Sequence, residues 1–307
     1  MRTGIQGLGW FVRRSADPRT QMDFYLAALG LPSLRRWSYN GSAGAMLRAG
    51  DVGVFELGAL DPTAAAAPPA DPAQAECTPV FRARDMTAAL DRAVAAGARV
   101  AADTVDGGLR EVLLTDPLGY PFSFLEADPA SLLAHDAAAE RAWRSPPAAM
   151  AALPPMPPAI QDIARVRLRV EQPQALAAFY VQTVGLDTLL DATAERALLH
   201  LGGTCALELV AGGARREPPK DRTEIPDVWI LRVYDYVGIK AHFAVHDVRT
   251  VNTVDLTGGW LDYCADPEGR LFGYQERRPP DPAIPNSQLI EDAAARAVWE
   301  GREASGT

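Results

Sequence analysis

The sequence predicts an α+β protein made of four strand–helix–strand–strand–strand modules, and three observations carry that prediction. The chain repeats itself after about 150 residues, each half shows the same succession of elements twice, and a connecting stretch, Ala/Pro-rich in the first half, divides each half. DFYLAALGL, with Phe24 and Tyr25, recurs as AFYVQTVGL, with Phe179 and Tyr180, at an offset of 179 − 24 = 155. VFEL, containing Glu56, recurs as ALEL, containing Glu208 (208 − 56 = 152), and Asp116-Pro117-Leu118-Gly119 recurs as Asp266-Pro267-Glu268-Gly269 (266 − 116 = 150). The tails repeat as well, DAAAERAW to Trp143 and DAAARAVW to Trp299.

Each module follows from local chemistry. In the first, an apolar strand at Leu8–Val12 leads to Asp17-Pro18, an N-cap followed by proline at the first helical position, where no N–H is needed. Met22, Tyr25, Leu26 and Leu29 then recur every three or four residues and form one apolar helix face, and Gly30 is placed as the C-cap. Strands follow at Met46–Arg48 and Val52–Leu57 around a Gly50-Asp51 turn. The second module repeats this with a strand at Pro79–Ala83, Asp85 as N-cap, a helix over Ala88–Ala96 capped by Gly97, and strands near Val112–Thr115 and Pro121–Leu125. The third and fourth start near Ile163 and Val228, the last with a helix over Val237–His246. Pro62–Pro72 and Arg215–Pro226 separate the modules within each half. The six prolines of Pro146–Pro158 resist both helix and strand and mark an inter-domain linker.

Composition bounds the function. A chain of 307 residues, 48% hydrophobic and 22% charged, is long enough for two domains with their own cores. A net charge of −9 without any Lys/Arg-rich run argues against a nucleic-acid partner. Cys77, Cys205 and Cys264 are odd in number and widely spaced, which excludes a disulfide framework or a Cys-based zinc site and fits a reducing compartment. With no signal-like N-terminus and no run of about 18 apolar residues, the expectation is a cytoplasmic protein without a membrane partner, acting on a small molecule and able to form a homodimer.

The doubled βαβββ module, FY-x(4)-GL closing its first helix and D-P-x-G turning into its last strand, resembles the vicinal oxygen chelate superfamily, which includes glyoxalase I, bleomycin-resistance proteins and extradiol dioxygenases. The resemblance implies two glyoxalase-like domains, over residues 1–127 and 160–278, each followed by an appended helix (128–145 and 279–307), with the linker at 146–159. It also implies a pocket in each domain where first and last strands present residues that hold a divalent metal in metal-binding members, usually His or Glu. Carried over, the first-strand positions are Gly7, Thr78, Arg165 and Trp229, and the last-strand positions are Glu56, Ser123, Glu208 and Gly273. None of the first four replaces a histidine and only two of the last four are carboxylates, while a Zn, Fe, Ni or Mn site needs three or four N, O or S donors. The expectation is therefore small-molecule binding without metal or other cofactor; the alternative is a metal-dependent lyase, isomerase or dioxygenase of the same superfamily.

Among the candidates, Arg165 and Glu208 form a facing pair that either binds a carboxylate or carbonyl ligand or plugs the site as a structural ion pair. Glu56 has no basic partner in its own set, and a lone carboxylate in a half-apolar pocket should have a raised pKa, as a catalytic general base requires. Trp229 is expected to fill the pocket or stack on a planar ligand, with Thr78 and Ser123 as further ligand-binding positions. His242 and His246 share a helix face at metal-binding spacing, but that helix is expected to face away from the pocket. His200 flanks a turn near a pocket mouth, and Cys264 lacks a histidine to make it a nucleophile. The appended helices, ending in Trp143 and Trp299, are expected to dock.

Overall fold

The structure, a computed structural model, describes residues 5–39, 42–50, 54–64, 66–128, 159–202, 205–233, 235–256 and 259–276. Four βαβββ modules follow one another: β1 (Ile5–Ser15), α1 (Pro18–Leu29), β2 (Ser33–Tyr39), β3 (Ser42–Arg48) and β4 (Val54–Ala59); then β5 (Cys77–Ala83), α2 (Met86–Ala95), β6 (Arg99–Asp106), β7 (Leu109–Thr115) and β8 (Pro121–Ala127). The second half repeats them as β9 (Ile160–Val170), α3 (Pro173–Phe179), β10 (Asp187–Leu190), β11 (Arg196–Gly202) and β12 (Cys205–Ala211), then β13 (Asp227–Val233), α4 (Tyr236–Val245), β14 (Thr250–Leu256), β15 (Gly259–Ala265) and β16 (Leu271–Glu276). The appended helices, the linker, His135, Trp143 and Trp299 lie outside the described residues, as do the side chains of Trp37 and Tyr39.

Local signals act as the sequence suggests. The Asp17 and Asp85 side chains accept from the backbone N–H groups of Thr20 and Ala88, and Gly30 closes α1 in the left-handed conformation at φ 62°, which a Cβ would disfavour. Helix α2 is capped by Ala96 rather than Gly97, which follows it with φ 106°. In the third module the helix widens into a π-turn at Tyr180–Val184, whose Thr183 carbonyl lies 2.9 Å from His242 Nε2. In both Asp-Pro-x-Gly turns the leading carboxylate accepts two backbone N–H bonds at 2.9 Å.

The modules pair across the halves of the sequence. One eight-stranded sheet, ordered β14-β15-β16-β13-β1-β4-β3-β2, joins the first and fourth modules, and the other, β10-β11-β12-β9-β5-β8-β7-β6, joins the second and third. In each sheet the two first strands meet antiparallel at the centre, β1 on β13 and β5 on β9, and each lies parallel to its own module's last strand. Every strand therefore has one face toward the helices and one toward the concavity of its sheet.

The helix-side faces of both sheets merge into one core. Phe55 and Phe81, from different sheets, meet edge to face at 5.2 Å, and Phe24 of α1 packs on Phe122 of β8 at 5.8 Å. Burying apolar faces shared by the two sheets stabilises the chain as one body. The concave face of the first sheet carries a separate apolar layer including Trp10, Val12, Val54, Val228, Ile230, Leu261 and Tyr263.

Candidate functional site on the concave sheet faces

The sheet pairing regroups the expected site residues. Thr78, Ser123, Arg165 and Glu208 all belong to the sheet of the second and third modules, while Gly7, Glu56, Trp229 and Gly273 belong to the other. Register then decides which side chains reach a concavity. In the second sheet Arg165 lies opposite Val80 and beside Ala206, while Val80 lies beside Ser123. One step along, Arg167 lies opposite Thr78 and beside Glu208.

Two expected positions in the first sheet are corrected. Trp229 does not face the concavity; it is 1% exposed in the core, tilted against Tyr180 at 5.6 Å and stacked on Phe272 at 5.6 Å and 24°. At the 150-residue offset of the Asp-Pro-x-Gly turns the counterpart of Thr78 is Val228, and an error of one residue moves a side chain to the other face. Gly7 is likewise not the counterpart of Arg165: Trp10 is, at the offset of 155. A register shift between Leu8 and Trp10 puts Leu8 in the helix-side core and Trp10 in the concave layer.

The Arg165–Glu208 pair forms, and it is part of a larger cluster. Glu208, 2% exposed, accepts from Arg165 at 3.2 Å, from Arg167 at 2.7 Å and from Arg196 at 2.7 Å. Arg167 also grips Glu111 in a two-point fork at 2.6 and 2.7 Å. Burial by itself would push the Glu208 carboxyl up, but Arg167, Arg165 and Arg196 outweigh it and hold the group well below the usual carboxylate range. Deeper in the same sheet Arg82 pairs with Asp162 at 3.0 Å, both nearly fully buried. Thr78 and Ser123 are also buried, and the Ser123 hydroxyl has no hydrogen-bond partner.

Arg167, Arg196 and Glu111 were absent from the sequence-level candidates. The signal was present in Arg165-Val166-Arg167-Leu168-Arg169, whose period of two places three arginines on one strand face.

In the other concavity Glu56 sits on β4 beside Val12 and across from Met46. It is not the isolated carboxylate that the general-base expectation required: it has an interaction partner of its own, and Tyr263 feels Arg14, Arg222 and Glu56 together. The same face also carries Arg14, Arg48, Arg232 and Gln275, all buried, in alternation with its apolar residues.

The remaining candidates behave as ordinary structure. Burial raises the Cys264 thiol to about 12, and the Cys77 and Cys205 thiols also rise through burial, so none is poised as a thiolate nucleophile. The two rings of His242 and His246 lie 4.4 Å apart on α4 without a third ligand, and among the described residues no group of three or more His, Cys, Asp or Glu could hold a metal ion. The metal implied by the resemblance does not fit these residues. The carboxylate of one sheet is taken up by three guanidiniums, whose charge repels a cation, and that of the other shares its concave face with Arg14, Arg48 and Arg232 and with the apolar Trp10, Val12, Val228 and Ile230, none of which is a metal donor.

Residues 10–125 match the family described as "Glyoxalase-like domain". No curated protein sequence matches the chain. Among solved structures, a candidate dioxygenase from Bacillus subtilis subsp. subtilis str. 168 superposes with a TM-score of 0.65 at 14% identity, covering 97% of this chain and 91% of its own. Glyoxalase I from Zea mays superposes with a TM-score of 0.59 at 15% identity, covering 88% of this chain and 92% of its own. At such identities the likeness concerns architecture, and it spans both halves of the repeat together. By fold, the chain is similar along most of its length to these two structures, and its residues 10–125 match the glyoxalase-like domain family.

Proposed function

We propose that this protein binds a small anionic or carbonyl-bearing organic molecule on the concave face of the second sheet, without the metal that many relatives of this fold use. The observation that carries the reading is the convergence of three guanidiniums on Glu208, two of them partly exposed. Arg165, Arg167 and Arg196 face Glu208 and Glu111, and the side chains of Arg167 and Arg196 keep 23% and 30% of their exposure. A planar fork of N–H donors at the rim of a concave sheet suits a carboxylate or a polarised carbonyl. Glu208 fixes the arginines in place, so the site is pre-organised for an incoming acceptor. Thr78 and Ser123 line the floor, and Glu56 belongs to the other concavity.

The reading treats the protein as a binder of small molecules in the cytoplasm rather than of nucleic acid or membrane. Three free cysteines support that compartment, and no helix among the described residues is long and apolar enough to cross a membrane. Titration calorimetry with benzoate and with benzyl alcohol, which has neither charge nor carbonyl, tests it. Benzoate should bind more tightly than benzyl alcohol, and Arg196→Gln should abolish that preference while leaving the fold intact. Equal affinity for the two probes, or a preference unchanged in Arg196→Gln, would overturn the proposal.

A further inference from the structure

The connector Arg215–Pro226 approaches the end of β1, where the Arg14 backbone N–H donates to the Pro226 carbonyl at 2.6 Å. Together with Pro62–Pro72 it also covers an inter-sheet cavity of about 380 Å³. Arg14 belongs instead to the concave face of the first sheet, two rows along from Trp10, and is 4% exposed. Its Nη1 has no hydrogen-bond partner, and among the described residues it forms no ion pair. Folded proteins pair the charges they bury, because a guanidinium taken out of water without a counter-charge is costly.

The carboxylates nearby are engaged elsewhere. Glu56 has its own partner, Asp227 is gripped by Arg13, Asp221 accepts from Thr223 and Asn252, and Glu224 accepts from the Lys220 backbone N–H. Arg48 and Arg232 on the same face have partners as well. The connector brings a second cation rather than an anion, since the half-buried Arg222 places its guanidinium over the Tyr263 ring at 5.5 Å. Burial pushes the Tyr263 hydroxyl up, against the pull of Arg14 and Arg222.

The repeat shows what Arg14 lacks. Its counterpart at the offset of 155 is Arg169, whose guanidinium donates to the Ala211 carbonyl at 2.9 Å and to the Ala73 carbonyl. Val210 lies beside Arg169, but Gly58 lies beside Arg14. A Cβ on Gly58 would meet nothing within 4 Å, and Gly58 is only half-buried, so the space beside Arg14 is open and reachable from solvent. Tyr263 likewise stands where the other half has Leu113, at the offset of 150. One half thus ties its arginine to the main chain and fills the adjoining space, while the other leaves the arginine without acceptors and the space empty.

We propose that the space beside Gly58 is a phosphate site, in which Arg14 and Arg222 hold the phosphate group of a small molecule under the connector. The ligand supplies to Arg14 the acceptors that Arg169 takes from the main chain. Two guanidiniums and a phenol around one space provide the charge and the donors for a doubly charged tetrahedral group, more than a single carboxylate can use. The site lies one row beyond Glu56 and uses none of the residues proposed for the second sheet, so the two readings stand or fall separately.

The test follows the melting temperature of the full chain against inorganic phosphate, methyl phosphate, acetate and chloride at matched ionic strength. Phosphate or methyl phosphate should raise it saturably, with an affinity about tenfold or more above that of acetate. The larger of those two responses tells whether the site takes the free ion or an ester. Arg14→Met should remove the response. Gly58→Val installs the side chain used by the other half, in open space and at a residue without positive φ, and should remove it too. Should Arg14→Met fail to fold, Gly58→Val still decides the matter. Arg196→Gln, which disables the site of the second sheet, should leave the response unchanged. A response to both phosphates no larger than that to acetate or chloride, or one that persists in Arg14→Met or in Gly58→Val, would overturn the proposal.

Discussion

Replacing Arg13 by Leu tests whether a buried ion pair in the first sheet is held in place by its partner alone. Arg13 is fully buried and grips Asp227 in a two-point fork, Nε to Oδ1 and Nη2 to Oδ2, both at 2.8 Å, while Nη1 donates to the Tyr25 hydroxyl at 2.6 Å. The repeat supplies its own control. Arg13 lies opposite Asp227 in the central strand pair of one sheet, and at the equivalent place in the other sheet Leu168 lies opposite Cys77. The same architecture thus accepts an ion pair in one half and an apolar pair in the other. Arg13→Leu alone strands the Asp227 carboxylate in the interior and should cost about 3–5 kcal/mol. At roughly 2 °C per kcal/mol for a chain of this size, the melting temperature should fall by about 6–10 °C. Arg13→Leu with Asp227→Cys installs the pair used by the second sheet and should recover most of that loss, because both charges leave together. Urea unfolding of the parent, both single variants and the double variant gives the coupling energy directly. A single variant within about 1 kcal/mol of the parent, or a double variant no more stable than Arg13→Leu, would refute the reasoning.

Three further outcomes are expected. The Glu208 carboxyl is held below its ordinary value in the folded state, so its stabilising contribution is present above the unfolded pKa, 4.5, and lost as pH falls from there toward the folded value. The urea midpoint of the parent should therefore drop more steeply between pH 5 and pH 3, roughly the upper part of that window, than the midpoint of Glu208→Gln, and parallel profiles would contradict this. Ser123→Ala removes a fully buried hydroxyl with no partner and should be neutral or stabilising within about 1 kcal/mol; a clear loss of stability would show that the hydroxyl is engaged. Protein purified without chelators should carry far less than one transition metal per chain by elemental analysis, and near-stoichiometric Fe, Zn, Ni or Mn bound at Glu56 or Glu208 would count against the metal-free reading.

The sequence by itself determined the modules, because their signals are local. Asp17 and Asp85 cap helices with their own side chains, Gly30 supplies a left-handed residue where α1 must stop, and Asp116 and Asp266 fold their turns through bonds to neighbours two and four positions away. The 150-residue repeat then carried the architecture from one half to the other. The Arg165–Glu208 pair was legible too, since parallel first and last strands of one module place those residues in adjacent rows. What the tertiary structure alone decided is which modules share a sheet. All four first strands offer the same backbone donors and acceptors along their edges, so pairing the first with the fourth and the second with the third is settled by how the faces of both sheets and their helices close one core. The same packing turned Trp229 inward, where a one-residue difference in register separates concavity from core. It also gathered Arg167, Arg196 and Glu111 from three strands around Glu208, and drew the two connectors together over the inter-sheet cavity. Those contacts join residues far apart in the chain, and no local pattern encodes them.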